Sequence, residues 1–415
     1  GVSRLLVEDI EKFRLCSYTE KSQRYVLFKD DFVIPEEISK AGLEESFRQV
    51  IGRQNALYQE CYELLRPYVF ARHPELATDP ANRSLLEGWA KEDARYAIAL
   101  ATETQLGMTL NSRNLELMLR RLAAHPLREA RDFSTALFKA TKSIAPSLVR
   151  YTDATDYDLL TRRELRELTA SLAGNGAGAG TATGEDGGNY RGAATPAGEP
   201  EAVTLAYATP DADCRILAAL LHSSSQLPMA ACFNRAREMD SRQQLDLIKT
   251  ALRHLRTFDP VLREFEYAEL LFELTVSASC FAQLKRHRMA TITAQDYDPS
   301  LGVTIPPSVR EIGMEKPFRE VMALTEDIYG KLRENAPAAA PYILTNAHRR
   351  RVALKVNARE FYHIARLRAD RHAQWDIREL TVAMLARARE AMPLALLLAT
   401  GKDGFNDLYR QHFQN

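Results

Sequence analysis

Two long stretches of this chain resemble one another, and this internal repeat limits the folds that the chain can adopt. Residues 110–131 read LNSRNLELMLRRLAAHPLREAR, and residues 356–378 read VNAREFYHIARLRADRHAQWDIR. Each stretch has an Asn, an Arg two residues later and an apolar helical period, which ends in an Arg four residues before a His. Residues 1–25 align with residues 275–299 in the same way. We infer two tandem copies of one domain, and we expect the first copy to lack the N-terminal part of that domain.

A segment rich in glycine and alanine lies between the two copies. Residues 173–200 contain about half of the 19 glycines of the chain and almost no large apolar side chain. Such a segment buries too little surface to offset its loss of conformational entropy, so it is predicted to be a flexible linker. The predicted domains are therefore residues 1–172 for the first, incomplete copy and residues 201–415 for the second.

Charge and cysteine usage restrict the class of protein. The 415 residues include 55 Lys and Arg and 55 Asp and Glu, whereas a non-specific nucleic-acid binder usually has a basic excess. The five cysteines are scattered without metal-ligand spacing, which suits a reducing compartment. The longest apolar run is too short to cross a bilayer, and no signal peptide is visible. We therefore predict a cytoplasmic protein that binds neither nucleic acid nor membranes.

Apolar periodicity predicts a mixed α+β (α/β) fold, repeated twice. Alternating or β-branched runs predict strands at 202–207, 265–278 and 350–356, although the second run could also be helical. Apolar residues at i, i+3 and i+4 predict helices at 41–67, 114–122, 127–143, 240–255, 317–335 and 375–391.

Two short motifs carry groups that an anion site needs. KRHR at residues 285–288 is either a phosphate clamp, in which planar guanidinium groups bind phosphate oxygens, or a solvated turn. SYTEKSQRY at 17–25 is either a phosphate-binding loop that uses Ser22 and Arg24, or an ordinary loop before a strand. Neither motif decides between these readings by itself.

Other polar positions have simpler explanations. Asn111 and Asn357 could be helix N-caps, and Arg121 and Arg368 could cover the core with their aliphatic stems. The sequence has no nucleophile with an adjacent base, no phosphate-binding glycine loop and no clustered metal ligands, so no metal site is predicted. Any chemistry would then be supplied by a cofactor.

Taken together, these segments resemble the flavin-dependent thymidylate synthases. The signature of that family runs Arg-His-Arg, two residues, Ser, one residue, Asn, two residues, Ser, one residue, Arg-Tyr. QLKRHRMATIT matches its beginning, FRLCSYTEKSQRY matches its end, and HAQW at 372–375 is similar to a second diagnostic segment. The signature Asn is Thr19 in one copy and Thr293 in the other.

The resemblance implies an enzyme that binds FAD and dUMP at sites shared between the subunits of a homotetramer. It moves a methylene group from methylenetetrahydrofolate to carbon 5 of the uracil, and flavin reduced by NADPH supplies the hydride. No nucleophile of the protein attacks the base. Because this chain carries two copies, we expect a homodimer that forms a pseudo-tetramer.

The resemblance assigns site residues in both copies. In the second copy it implies that Arg368 polarises the pyrimidine ring. The dUMP positions are Gln283 and Arg286 in the second copy, and Glu20, Ser22, Gln23, Arg24 and Arg95 in the first. The FAD positions are Arg286, His287, Arg288, Asn357, Ala358, Arg359 and His363, with Glu20 from the first copy.

The two copies have lost different parts of this site. The second has Asp296 and Asp298 where the family has its phosphate-binding Ser and Arg, and Pro341 where the family has another dUMP-binding Arg. The first has Asp9, Lys12 and Phe13 in place of Gln, Arg and His. One combination would place the phosphate loop of the second copy, with Asp296 and Asp298, against the nucleotide. The repulsion between these aspartates and a dianionic phosphate in a partly dry site costs several kcal/mol, so this combination cannot bind the nucleotide. One composite site stays complete, in which KRHR is complemented by SYTEKSQRY. The alternatives are a flavoenzyme that acts on another pyrimidine nucleotide and a non-catalytic nucleotide- or flavin-binding homologue.

Overall fold

The computed structural model describes residues 1–21, 31–144, 146–174 and 201–414, and these form two compact units. Unit 1 comprises the described residues of Gly1–Ala182, Ser277–Ser279 and Tyr297–Arg349. Unit 2 comprises those of Thr183–Val276, Cys280–Asp296 and Arg350–Asn415. The units are defined by contacts and divide the chain differently from the sequence copies, because unit 1 contains parts of both copies.

Helices predominate in the first half of the chain, and the helices predicted there are confirmed. Most of the predicted linker lies outside the described residues, and its first two residues, 173 and 174, end a helix. The helices are α1 (Arg4–Ile10), α2 (Glu36–Lys40), α3 (Glu44–Arg72), α4 (Pro74–Ala77), α5 (Arg83–Ala94), α6 (Ser112–Ala123), α7 (Arg128–Thr141) and α8 (Asp156–Gly174). The strands are β1 (Val2–Ser3), β2 (Ser17–Glu20), β3 (Glu103–Thr104) and β4 (Leu106–Thr109).

The second half of the chain contains longer strands. The strand predicted at 265–278 is shorter than expected, because Arg263–Tyr267 forms a 3₁₀ turn before it. The strands are β5 (Val203–Ala208), β6 (Glu269–Ser277), β7 (Thr291–Ala294) and β8 (Arg349–Asn357). The helices are α9 (Ala212–Ser223), α10 (Met229–Glu238), α11 (Ser241–Leu252), α12 (Ala278–Leu284), α13 (Pro307–Glu311), α14 (Glu315–Asn335), α15 (Ala358–Arg368), α16 (Trp375–Ala391) and α17 (Phe405–Phe413).

Unit 2 is built on a four-stranded sheet with the strand order β5-β6-β8-β7. Alternate residues of β6, such as Phe272 and Leu274, are buried, as period-2 patterning requires of a sheet with one covered face. Phe272 stacks on Phe361 of α15 with 5.6 Å between the ring centroids. The buried face of the sheet thereby fixes α15, the helix that Asn357 caps and that ends at Arg368.

The order of elements shows that the two copies share one fold. In each copy a short helix (α1 or α12) leads to a short strand (β2 or β7), a one-turn helix (α2 or α13) and a long helix (α3 or α14). Gly42 and Gly313 precede the long helices at φ of 71° and 77°, a left-handed conformation that a Cβ atom would strain. Phe47 and Phe318, five residues after each glycine, are both fully buried.

The strand register also repeats between the copies. β2 pairs with β4 so that Ser17 lies opposite Thr109, and β7 pairs with β8 so that Thr291 lies opposite Lys355. Under the alignment of the sequence repeat, all four opposed pairs of the first copy correspond to those of the second. A change of register by one residue would turn every side chain to the other face, so this identity is a demanding test of homology.

Within unit 1, equivalent segments of the two copies contact each other with approximate local two-fold symmetry. Ala99 forms an antiparallel bridge with Thr345, its own counterpart in the repeat. The surrounding backbone hydrogen bonds come in equivalent pairs: Leu100 N–H to Leu344 O with Asn346 N–H to Ile98 O, and Ala101 N–H to Tyr342 O with Ala347 N–H to Tyr96 O. Gln54 of α3, which is fully buried, donates to Thr325 Oγ1, 2.8 Å away at the corresponding position of α14.

Among the described residues, no helix combines the length and the apolar character needed to cross a lipid bilayer.

Candidate active site

The turn that follows α12 carries the KRHR motif, and two of its side chains point inward. Lys285 and His287 are only 5% and 4% exposed, whereas Arg286 is exposed and Arg288 is half-buried. A solvated turn would leave all four side chains in water, so that explanation is wrong for Lys285 and His287. The motif presents Arg286 at the surface and anchors His287 inside unit 2.

Arg368, at the end of α15, joins this turn to α12. Its Nε donates to His287 Nε2 at 2.9 Å, and an Nη atom donates to the backbone oxygen of Gln283 at 3.2 Å. The side-chain amide of Gln283 donates to Gln374 Oε1 at 3.2 Å, and Gln374 is the N-cap of α16. Three residues that were predicted separately from the sequence are therefore brought together, and their orientation is set by helix termini.

A cluster of His287, Glu360 and His363 lies beside Arg368. One donor or acceptor atom from each of the three side chains lies within 4.8 Å of the others. His287 Nδ1 is 3.9 Å from Glu360 Oε1, and the two imidazole rings meet edge to face with centroids 5.8 Å apart. His363 Nδ1 accepts a hydrogen bond from Arg366 at 3.1 Å. Sequence analysis missed Glu360, although its i, i+3 spacing to His363 on one helix places both on the same face.

Burial governs the protonation of this cluster. It lowers the pKa of His287 well below its usual value, and the Arg368 guanidinium lowers it further. The pKa of His363 is lowered by burial and then by Arg366. Burial raises the pKa of Glu360 to about 7, against a smaller opposing effect of Arg359. Near neutral pH both imidazoles are therefore neutral, and Glu360 exchanges its proton.

The protonation pattern suits hydrogen bonding better than metal binding. Arginine nitrogens always carry hydrogen, so His287 Nε2 and His363 Nδ1 must accept from Arg368 and Arg366. In each neutral ring the single proton then resides on the other nitrogen, which therefore has no lone pair for a metal ion. Two neighbouring guanidinium groups would also repel a cation. We assign the cluster to proton exchange and hydrogen bonding.

The remaining positions of the second copy that were predicted to bind flavin lie at the start of α15, and they already have partners within unit 2. Asn357 caps the helix by accepting from the Glu360 N–H at 2.9 Å, which confirms the N-cap interpretation, and Asn111 caps α6 in the same way. Ala358 is fully buried, and its N–H donates to Ala268 O. Arg359 Nη1 lies 3.1 Å from Glu266 Oε1.

A cavity of about 220 Å³ opens beside the cluster in unit 2. Its walls combine apolar side chains, such as Tyr362 and Phe405, with groups that can bind anions or donate hydrogen bonds. The polar groups are Arg256, Asp259, Arg359, Glu360, His363 and Arg366. A concave, mostly apolar cavity with a few convergent polar groups is typical of a small-molecule site.

Within unit 1, two buried arginines contact Ala278 and Ser279, the first two residues of α12. Arg95, 8% exposed, donates to Ser279 Oγ at 3.1 Å. Arg4, 2% exposed, donates to the neighbouring Ala278 O at 3.2 Å and pairs with Glu8 at the same distance. Sequence analysis missed Arg4. The available signal was that its counterpart in the repeat is Ala278, as the counterpart of Arg95 is Pro341, so both cations belong to the first copy alone.

The degenerate positions of the first copy are closed by their own ion pairs in unit 1. Asp9 stands where the second copy has Gln283, and its carboxylate pairs with Lys12 and, at 3.2 Å, with His125. Hydrogen bonds from His125 and Lys12 hold the pKa of Asp9 far below its usual range. A side chain held by two partners from its own copy is poorly placed to bind a nucleotide.

The structure describes different parts of the two loops that were predicted to bind phosphate. Glu20 ends β2 and pairs with Leu106, whereas Ser22, Gln23 and Arg24 lie outside the described residues. In the second copy the loop has a structural role within unit 1. Tyr297, 3% exposed, donates to Glu8 at 2.7 Å, and the Asp298 carboxylate accepts from the Ser300 N–H.

Comparison with known proteins assigns the chain to a family. Residues 1–147 and 204–394 both match the family model described as thymidylate synthase complementing protein. The chain belongs to the thymidylate synthase complementing protein family. Because the matched segments fall in the two halves of the repeat, the predicted tandem pair of mixed α/β domains is confirmed, as is the predicted relation to flavin-dependent thymidylate synthases.

Individual relatives are similar to this chain over different lengths. A UPF0159 protein of Chlamydia muridarum is 24% identical over 405 residues, which cover 92% of this chain and 72% of that protein. A UPF0159 protein of Thermoplasma acidophilum is 22% identical over 432 residues, which cover 95% of this chain and 81% of that protein. A flavin-dependent thymidylate synthase of Clostridium tetani is 30% identical over 153 residues, 36% of this chain and 59% of that enzyme.

The side chains of this family member fit the ring system of a flavin. His363, whose Nε2 carries the ring proton, and the protonatable Glu360 carboxyl both line the cavity, which suits the polar edge of a planar heterocycle. Arg359 is less available to a phosphate, because an incoming anion must compete with Glu266. The donor set therefore supports recognition of the flavin ring more strongly than recognition of its phosphates through Arg359.

Proposed function

We propose that this protein catalyses the FAD-dependent reductive methylation of dUMP to dTMP. Methylenetetrahydrofolate would donate the carbon, and NADPH would be the reductant. The observation that carries the proposal is the hydrogen-bonded assembly of Gln283, His287 and Arg368 in unit 2. Membership of a family that includes flavin-dependent thymidylate synthases supports it.

Each residue has a distinct task in this proposal. Arg368 polarises the uracil ring, and its guanidinium is kept in one orientation by the bonds to His287 and Gln283 O. Arg286, exposed on the same turn, binds the nucleotide. When bound and reduced, FAD supplies the hydride that turns the transferred methylene into a methyl group. The folate leaves as tetrahydrofolate, and the proton at carbon 5 of the uracil passes to water.

The nucleotide would occupy a composite site with residues from both copies. In this proposal Ser22, Arg24 and Arg95 of the first copy bind the phosphate. The support from unit 1 is an asymmetry: the first copy retains buried arginines where the second has Ala278 and Pro341. One composite site per chain follows, hence two in a homodimer.

A reconstituted assay tests the proposed reaction. Purified protein is supplied with FAD, NADPH, methylenetetrahydrofolate and dUMP that carries tritium at carbon 5. We expect tritium release to water together with dTMP in equal amounts. Tritium release without dTMP would contradict methyl transfer and favour a flavoenzyme that only activates the pyrimidine ring.

A non-catalytic homologue is the second candidate, and the Glu266–Arg359 pair favours it because it occupies a predicted flavin ligand. Absorbance spectra separate the two candidates. The proposed enzyme binds FAD and therefore shows the absorbance band of oxidised flavin. Addition of NADPH should reduce the flavin and bleach this band. Protein that takes up no FAD but still binds dUMP would support the second candidate.

Replacing Arg24 and Arg286 by Ala, separately and together, tests the composite site. Each single change is expected to weaken dUMP binding about 10- to 100-fold, because each removes a charge-assisted hydrogen bond. If both groups bind one phosphate-bearing ligand, the double change costs less than the sum of the two. Arg242→Ala, at an exposed position of α11, is the control. Strict additivity, measured by titration calorimetry, would place the two arginines in separate sites.

A further inference from the structure

Glu360 is the acidic member of the cluster in unit 2, and nothing in the sequence motifs assigns it a role. It lies in the first turn of α15, with 16% of its side chain exposed. It also lines the 220 Å³ cavity together with Arg359, His363 and Arg366. A carboxyl that faces a cavity among cations would, if ionised, oppose the binding of an anion there.

The groups around Glu360 come from five segments. Its own helix supplies Arg359, His363, Arg366 and Arg368, and the turn after α12 supplies His287. The 3₁₀ turn supplies Glu266, which pairs with Arg359, and the loop before it supplies Arg256 and Asp259. The segment at 398–405 supplies only neutral lining groups, such as Thr400 and Phe405.

Both imidazoles are committed by their arginine partners. Because Arg368 and Arg366 each donate to one ring nitrogen, each neutral ring has its N–H on the opposite nitrogen. His287 then directs its Nδ1–H toward Glu360, 3.9 Å away. Neither ring can take up a second proton without losing its bond from arginine, so Glu360 is the member of the cluster that exchanges a proton.

We propose that Glu360 is a ligand-facing residue of the cofactor site and that it binds an anionic, ring-containing ligand in its protonated form, so that one proton is taken up with each ligand. The inference rests on the proposed function, in which that ligand is FAD. Protonated Glu360 offers an O–H donor to the ligand, whereas the carboxylate would repel its negative charge. The pKa of about 7 for Glu360 places the exchange near neutral pH.

The expected pH dependence follows from the sign of this linkage. Below the pKa of Glu360 the site is already protonated, and affinity does not change with pH. Above it, binding must include protonation, so the affinity for FAD is expected to fall about tenfold per pH unit. Exchange of Glu360 for Gln removes the titrating group and should abolish this slope while it preserves shape and a hydrogen-bond donor.

The experiment measures FAD binding by fluorescence quenching from pH 6 to pH 8.5 in the wild type, Glu360→Gln and Glu390→Gln. Glu390 is an exposed carboxylate near the end of α16, so its substitution makes the same charge change outside the site. We expect the slope in the wild type and in Glu390→Gln, and its loss in Glu360→Gln. Circular dichroism establishes that each variant is folded.

A second measurement needs no variant. Calorimetric titration of the wild type with FAD at pH 7.5, in buffers of different ionisation enthalpy, should show net uptake of up to one proton. FAD binding without proton uptake, or a slope that persists in Glu360→Gln, would overturn the inference and leave the proposed function standing. Failure to bind FAD at any pH would instead contradict the proposed function, and the inference with it.

Discussion

Exchange of Arg368 for Ala is expected to lower the rate of dTMP formation about 10²- to 10³-fold, the usual effect of removing one preorganised charge from a reaction site. Arg368 makes two hydrogen bonds that fix its guanidinium in unit 2, to His287 Nε2 and to Gln283 O. Its loss removes the cation that polarises the pyrimidine and leaves His287 without its donor. The turnover number at saturating dUMP is the measurement.

Two further variants sharpen the test of Arg368. Arg368→Lys keeps the charge but loses the planar fork, so it should recover only part of the rate. Arg371→Ala removes an exposed arginine three residues later and should leave the rate unchanged. If Arg368→Ala retained more than a tenth of the wild-type turnover, polarisation by this residue would be ruled out.

Exchange of Arg4 for Met is expected to lower the free energy of unfolding of unit 1 by about 3–5 kcal/mol, because it removes one partner of a buried ion pair. Arg4 and Glu8 are 2% and 3% exposed and lie 3.2 Å apart. Glu8 would keep the hydrogen bond from Tyr297 but lose its neutralising cation. The double variant Arg4→Met with Glu8→Leu should recover much of the stability, because neither member of the pair then leaves its partner's charge buried and unpaired.

Urea unfolding can isolate this effect. The chain has two tryptophans, of which Trp89 lies in α5 of unit 1 and Trp375 in unit 2. In a Trp375→Phe background the fluorescence therefore reports on unit 1. Arg48→Met breaks an exposed pair with Glu44 at the same i, i+4 spacing and should cost under about 0.5 kcal/mol. If Arg4→Met and Arg48→Met lowered the free energy of unfolding equally, burial of the Arg4–Glu8 pair would have no energetic consequence.

Local patterns in the sequence predicted six of the helices and the three longest strands that the structure describes. Periods of 3.6 and 2 are set by side chains that are close in the chain, so α3, α6, α7, α11, α14 and α16 could be located. The run at 265–278 was ambiguous because it combines a 3₁₀ turn with the start of β6. The packing of residues 297–349 in unit 1 depends on contacts distant in sequence, which no local period encodes.

The sequence predicted those residues of the candidate site that belong to a motif. It missed residues whose chemistry depends on their burial. Gln283, His287 and Arg368 come from motifs, and unit 2 brings them together. Glu360 and Arg4 look like ordinary surface charges in the sequence, because a local pattern does not say which charged side chain is enclosed. Glu266 was unpredictable for another reason: its pairing with Arg359 joins residues 93 positions apart.

The bridge between Ala99 and Thr345 has an evolutionary consequence. In an assembly of identical chains, every substitution is imposed on both sides of a symmetry axis at once, so a change that harms one side cannot be confined there. When the equivalent halves share one polypeptide, each can drift alone. That freedom allows the first copy to keep Arg95 where the second copy has Pro341.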